Sequence, residues 1–402
     1  MNVLFLSLLK INSFDEGNIY SDLLKELTQK GCYVYCVSPL ERREKKKTHV
    51  IEGENYKILR NKILNIQKTN LLEKGLSTLL IEKNTIKAIK KYFKGVKFDL
   101  ILYATPPVTF SGVVKYFKKR DGAKTYLMLK DIFPQNCVDV GLFSQKSVFY
   151  KFFRRKEKKL YAVSDAIGCM SQANVEYVLT HNDLKGKRVE VCPNSLSVKN
   201  FVLSEEEKDE VRRKYSVPDD KIVVVYGGNL GKPQGVPFLV DCLKKVDDER
   251  FFFLIVGGGA QSKVLEKYIQ EEKPLHVKYV PFLPKEEYLK VLRVCSVGLV
   301  LLDGRFTIPN FPSRSLDYMK ARLPVYCVTD NACDLGDLAQ ENGFGVKTLS
   351  NNVTNFAKGL EKFCNISDNK VMGENSYEFF LNNYDVEKTC DIILNRVKGV
   401  DR

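Results

Sequence analysis

The chain has no tryptophan and only three histidines, His49, His181 and His276, too scattered to form a ligand set. A metal site is therefore not expected, and no cofactor is expected either. Eleven cysteines are present, but their number is odd and none forms a C-x-x-C pair. Several sit inside apolar runs, as in YVYCVSP (33–39), AIGCMSQ (166–172) and VYCVTD (325–330), which is how cysteine serves as a small buried residue in a reducing compartment. No run approaches the ~18 apolar residues that a transmembrane span needs. The first residues, MNVLFLSLLKINSFDEG, lack a basic leading region and a small-residue cleavage site, so they read as a buried strand and not as a signal peptide. Short-period repeats and RNA-binding motifs are also missing, so nucleic acid is not an expected partner. A cytoplasmic protein, or one lying on the inner face of the cell membrane, remains.

The length of 402 residues suits two α/β domains better than one core. In the first half the apolar runs at 2–9, 33–38, 99–105, 124–129, 166–171 and 188–194 predict parallel strands. Helical patterns lie between them at 19–31, 71–94 and 108–120, an order that spells a doubly wound fold. A polar stretch at 202–221 predicts a short linker helix. A second strand series follows at 222–231, 251–259, 277–282, 297–302 and 324–329, and an amphipathic helix closes the chain at 385–399. The domains are expected at 1–200 and 201–384.

Charge divides the halves. Residues 1–200 carry 36 Lys and Arg against 19 Asp and Glu, whereas 201–402 carry 28 against 30. Such asymmetry fits an anionic partner for the first half, a membrane surface or a phosphorylated lipid, and fits equally a well-solvated lysine-rich surface. The segment KSVFYKFFRRKEKKLY (146–161) sets seven basic residues among five aromatics. At helical spacing it fits an interfacial helix on anionic lipid, or a helix with one face in the core.

Ligands of such sheets bind beyond the C-terminal strand ends. In the first half those ends carry KINSFDEGN (10–18), where Gly17 allows close backbone approach, then Thr105-Pro106-Pro107, then LKDIFPQN (129–136). Asp131 closes a buried strand there, as a carboxylate able to deprotonate a hydroxyl or as a turn cap. In the second half, YGGNLGKPQG (226–235) offers Gly227, Gly228 and Gly231 for close approach to a diphosphate, with Asn229 against it and Lys232 to pair its charge. VGGG (256–259), with Gly257, is a second glycine turn, as often structural as ligand-bearing. In PNFPSRSLDYMKARLPV (309–325), Ser313 reads as a helix N-cap with Arg314 beside it. Asp317 falls one turn along, suited to ribose hydroxyls. The alternative is an ordinary capped helix.

Taken in order, GNIYSDLLKEL, LKDIFPQNCVDVGLF, YGGNLGKPQG, FLIVGGGAQ, PSRSLDYMKARLPV and CDLGDLAQENGFG resemble glycosyltransferase family 4. The likeness is to its bacterial capsule, O-antigen and exopolysaccharide branch, which includes fucosaminyltransferase-like enzymes. The resemblance implies a GT-B fold, two Rossmann-like domains with parallel sheets facing a central cleft, with the terminal helix at 385–402 packing back on the first domain. It implies retaining, metal-independent transfer from a nucleotide sugar, usually UDP-linked, held by the second domain. The acceptor, commonly a saccharide on a polyprenyl diphosphate at the inner membrane face, would meet the first. Two positions depart from the family. The first Glu of its Glu-x7-Glu pair falls at Pro309, and its usual Arg and Lys at the diphosphate fall at Asn229 and Gln234. Lys232 and Arg314 are the candidates to supply that charge. An inactive subunit that binds a partner or a membrane, and a sugar-nucleotide epimerase, are the rival readings.

Overall fold

The computed structural model describes residues 1–65, 71–198 and 202–399, without the side chains of 71–79. It divides into two compact units, Met1–Ser197 with Asp385–Arg402, and Val198–Tyr384.

The first unit is built on an eight-stranded sheet: β1 (Asn2–Leu6), β2 (Tyr33–Glu41), β3 (His49–Gly53), β4 (Tyr56–Ile63), β5 (Leu100–Ala104), β6 (Lys124–Leu129), β7 (Ala166–Cys169) and β8 (Arg188–Val191). Their order is β3-β4-β2-β1-β5-β6-β7-β8, and only the β3–β4 pair is antiparallel. The hairpin β3–β4 was not expected from the sequence; its turn places Asn55 at a φ of 60°, which Asn tolerates better than most residues. Strands β1, β5 and β6 are buried on both faces, so they read as continuous apolar runs without alternation. One layer packs the helices Leu71–Tyr92, Ser111–Asp121 and Val148–Val163 on the sheet through Ile89, Val113, Phe117 and Leu160. The other layer is the helix Ile19–Gln29, against which the terminal helix Val386–Lys398 lies. Val386, Cys390, Ile393 and Leu394 join Leu23, Leu24 and Leu27 in that core.

The second unit has a six-stranded parallel sheet: β9 (Ile222–Gly227), β10 (Phe251–Val256), β11 (Val277–Val280), β12 (Val297–Leu301), β13 (Val325–Thr329) and β14 (Gly345–Leu349), in the order β11-β10-β9-β12-β13-β14. The short helix expected at 202–221 is the helix Glu205–Tyr215, and it belongs to this unit. A capping box at Ser204 and Glu207 starts it, and Tyr215 donates to Glu287 of the helix Lys285–Leu292.

The order reverses between β1 and β5 in the first sheet and between β9 and β12 in the second. A crevice at the C-terminal strand ends forms at such a point. All eleven cysteines are free, eight of them buried.

Candidate functional site

At the second switch point the loop after β9 turns sharply. Gly228 takes a φ of 125° and Gly257, at the end of β10, one of 128°. A Cβ at Gly257 would run into the Gly228 carbonyl, and one at Gly259 into the Leu230 carbonyl. The two glycine loops thus lie backbone to backbone, joined by Gly228 N–H to Val256 O at 2.9 Å and Leu230 N–H to Gly258 O at 3.1 Å. Gly257 therefore has a packing role that accounts for its identity without a ligand.

Arg314, the first residue of the helix Arg314–Lys320, lays its guanidinium over the Tyr226 ring at 4.3 Å. Its side chain also borders Gly228, since a Cβ there would stand 3.6 Å from Arg314 Cζ. Nη1 is buried and has no hydrogen-bond partner among the described residues. A buried cation with a spare donor, beside a glycine that leaves the approach open, is an arrangement that an anion completes. Three tyrosines frame it: Tyr226 donates to Asn229 O at 2.7 Å, Tyr318 accepts from Gly227 N–H at 2.9 Å, and Tyr288 packs where a Gly227 Cβ would stand.

The other expected residues are placed as follows. Asn229 is exposed and donates to Gln234 at 3.3 Å, and the Gly231 amide donates to the same Gln234 oxygen at 3.1 Å. Lys232 is exposed on the same loop. Ser313 precedes the helix, but its side chain caps nothing: its backbone is already helical (φ −64°, ψ −12°), whereas a capping hydroxyl needs an extended one. Asp317 is not free. Lys285, at the start of its own helix, donates to both carboxylate oxygens at 2.7 and 2.6 Å. Lys285 was missed because no spacing rule joins residues 285 and 317; only the fold brings them together.

In the first unit the loops after β1, β5 and β6 leave adjacent strands. Loop 10–18 is fixed from below: Ser38 accepts from Ile11 N–H at 2.8 Å, and buried Arg60 donates to Ile11 O at 3.2 Å and Asn12 Oδ1 at 2.8 Å. Gly17 has a φ of 65° with open space around its Cα, and Asn18 then caps the next helix. Thr105 is buried and ties the β5 and β6 ends together, accepting from Lys130 N–H at 3.0 Å and Asp131 N–H at 3.4 Å. Pro106 beside it is exposed.

The Asp131 side chain is not used as a cap; its backbone, not its carboxylate, meets Thr105. Burial pushes its carboxyl up to about 6. Tyr20 stands close enough for the Asp131 charge to add to burial in raising the phenol. Lys130 Nζ is buried with no hydrogen-bond partner among the described residues, and burial pulls its amine down to about 8. Tyr20, Arg60 and Lys130 were not singled out in the sequence; only the residue type of Lys130, a lysine inside an apolar run, was a usable signal.

The helix Val148–Val163 divides its aromatics. Phe153 turns inward onto Phe133, with ring centroids 4.9 Å apart, while Val148 and Phe149 are 80% and 67% exposed, enough to leave an apolar patch. Leu142 and Phe152 are exposed as well. No helix among the described residues is long and apolar enough to cross a membrane.

Residues 207–379, most of the second unit, match the family model described as Glycosyl transferases group 1. The match takes in both the Gly228 loop and the Arg314 helix at the switch point. Over 315 residues the chain is 24% identical to Probable glycosyltransferase WbjE of Pseudomonas aeruginosa, covering 76% of each chain. It is 22% identical over 255 residues to WcaI of Escherichia coli (strain K12), a glycosyl transferase assigned by name to colanic acid biosynthesis, covering 61% of this chain and 60% of that one. Among solved structures, sucrose-phosphate synthase from Thermosynechococcus elongatus matches with a TM-score of 0.78 at 17% identity, over 100% of this chain and 99% of that one. HepE of Anabaena in complex with UDP matches with a TM-score of 0.68 at 15% identity, over 99% and 100%. At such identities these likenesses speak for the fold, which is the GT-B fold of glycosyltransferases.

Proposed function

We propose that the chain is a retaining glycosyltransferase that moves a sugar from a nucleotide sugar, UDP-linked, to a lipid-linked saccharide in bacterial surface polysaccharide synthesis. The observation that carries this reading is the Arg314 guanidinium, buried over Tyr226 with a spare donor beside the open flank of Gly228. The relatives' names, the UDP in the Anabaena structure and the resemblance to fucosaminyltransferase-like enzymes agree with it.

In this reading the donor diphosphate rests against Gly228 and Arg314, with Lys232 reaching it from the loop. The bond from the sugar's anomeric carbon to the diphosphate oxygen breaks, and its electron pair leaves with the nucleotide. A new bond forms to the acceptor oxygen on the same face. Negative charge grows on the departing diphosphate, so the fixed cation and backbone amides are the main catalytic contribution. The acceptor proton passes to Asp131 or to a donor phosphate oxygen. A carboxyl titrating near 6 is ionised at neutral pH yet basic enough to take it. The Lys285–Asp317 pair then sets the nucleoside end, Asp317 accepting from ribose hydroxyls while Lys285 screens its charge from the diphosphate.

The exposed apolar patch around Phe149, edged by Lys146, Lys151 and Arg155, is the surface we assign to anionic lipid at the inner membrane face.

The test is thermal stabilisation by UDP, GDP, TDP, CMP and ADP compounds, repeated on Arg314→Ala and Asp317→Ala. A shift with one nucleotide that Arg314→Ala abolishes is the expected result. A folded protein that no nucleotide shifts would favour an inactive subunit, in keeping with Pro309 at the first Glu position. Release of free sugar with no acceptor present would favour an epimerase.

A further inference from the structure

A separate cavity of about 240 Å³ opens in the second unit, sharing no lining residue with the Gly228–Arg314 cluster. Its walls are the start of the helix Val236–Lys245 (Gly235, Pro237, Phe238), Gln261 before the next helix, Leu302 to Arg305 after β12, and Ser350 after β14. The glycine loop closes its floor, with Pro233 O accepting from Asp303 N–H at 2.9 Å and Leu230 O accepting from Gln261 N–H at 2.8 Å.

Two residues that line this cavity each hold a buried polar atom with no hydrogen-bond partner among the described residues. Ser350, 7% exposed, has an unpartnered Oγ, and the amide oxygen of Gln261 is likewise unsatisfied. Leaving such atoms unpaired costs ~1–3 kcal/mol each, and both residues line the cavity.

The chemistry of a partner follows from the remaining groups. An anion is disfavoured: Asp303 lies in the wall, and Arg305 already spends Nε and Nη2 on it at 2.8 and 2.7 Å. The helix start offers little more, because Pro237 has no N–H. The volume lies below the ~300 Å³ at which drug-sized pockets begin, so a nucleotide does not fit but a single ring does. What the cavity presents is a neutral ion pair, a carbonyl acceptor, a hydroxyl, and apolar surface from Phe238, Pro237 and Leu302. Hydroxyls along one edge and C–H groups on the other face match this set. We infer that this cavity is a binding site for a neutral pyranose ring, separate from the nucleotide site. The inference draws on the cavity's own groups; only the idea that saccharide is at hand rests on the proposed transfer.

The experiment is saturation-transfer NMR on the full chain with glucose, galactose, N-acetylglucosamine and maltotriose, with the UDP thermal shift measured in parallel. Expected is saturation transfer to at least one sugar, with affinity lowered about tenfold in Ser350→Ala and in Gln261→Leu, and a UDP shift unchanged in both. Binding of the monosaccharides identifies a free sugar as the ligand, and binding of maltotriose alone identifies a segment of saccharide chain. Failure of every sugar to bind the folded wild type, affinity unchanged in Ser350→Ala, or displacement of the sugar by inorganic phosphate would each overturn the assignment. Ser350→Ala removes one oxygen and keeps the test open should Gln261→Leu not fold. Sugar binding without a UDP shift would sink the proposed donor site and leave the cavity standing.

Discussion

Replacing Asp131 by Asn makes the first unit more stable at neutral pH and leaves it unchanged in acid. The Asp131 carboxyl titrates near 6 in the folded protein against 3.8 ordinarily, because burial disfavours its charge. The folded pKa is the higher one, so the folded state keeps this proton longer than the unfolded chain does. Below about pH 4 both states are protonated and the site costs nothing. Stability is lost as pH rises from about 4 through 6, and the full penalty stands above about 6.5. Two pKa units at ~1.4 kcal/mol each set its ceiling at about 3 kcal/mol. Asn resembles the protonated carboxyl and carries no such penalty. At ~2–4 °C per kcal/mol for a unit of this size, the variant should melt up to roughly 10 °C higher at pH 7.5 and no higher at pH 4. Calorimetry at pH 4, 5, 6 and 7.5 reads this directly. An Asn variant no more stable at pH 7.5, or a gain that does not vary with pH, would refute the reasoning. On the proposed function the same variant loses turnover, so a gain in stability with a loss of activity marks a carboxylate kept for chemistry.

Gly257→Ala should lower stability by about 2–5 kcal/mol, since the new Cβ meets the Gly228 carbonyl at a φ of 128°; the midpoint of urea unfolding measures it. Lys285→Ala leaves Asp317 unpaired beside the proposed diphosphate site, and calorimetric titration should show UDP binding weaker by about tenfold with little change in melting. Phe149→Ser combined with Lys151→Glu should abolish co-sedimentation with vesicles containing anionic lipid while leaving the UDP shift intact. Persistent sedimentation would place the lipid contact elsewhere.

The two sheets were legible because parallel strands buried on both faces announce themselves, as LILYA, TYLML and VVVY do. The hairpin at 49–63 and the strand at 345–349 were not: 49–53 and 345–349 are mostly half-buried and mixed with Glu, Lys and Thr, and the buried run 58–61 includes the polar Arg60 and Asn61. Around the candidate site, local pattern singled out residues one loop at a time: Gly228 by its loop, Arg314 by its helix start, Asp131 by its strand end. What escaped were groups that act across the fold. Lys285 reaches Asp317 from a different helix, Arg60 steadies loop 10–18 from β4, two strands away from β1, and Tyr20 meets Asp131 only because β1 and β6 both flank β5. Local pattern carries no information about such meetings. It placed Ser313 at the N-cap correctly but could not show that the helical backbone there keeps the hydroxyl from capping.

The terminal helix gives the chain a timetable. The first unit is closed only when Val386–Lys398 lies on Ile19–Gln29, with Lys30 paired to Asp391 at 2.6 Å and Arg396 to Glu190 at 2.8 Å. All of Val198–Tyr384 is made between the two parts. At a ribosomal pace of ~5–20 residues per second, the groove that takes Ile393 and Leu394 stays open for roughly 10–40 seconds after the rest of its unit has emerged. During that interval the second unit can finish folding, while the first presents bare apolar surface to the cell. Early termination would leave a complete second unit joined to a first that never closes.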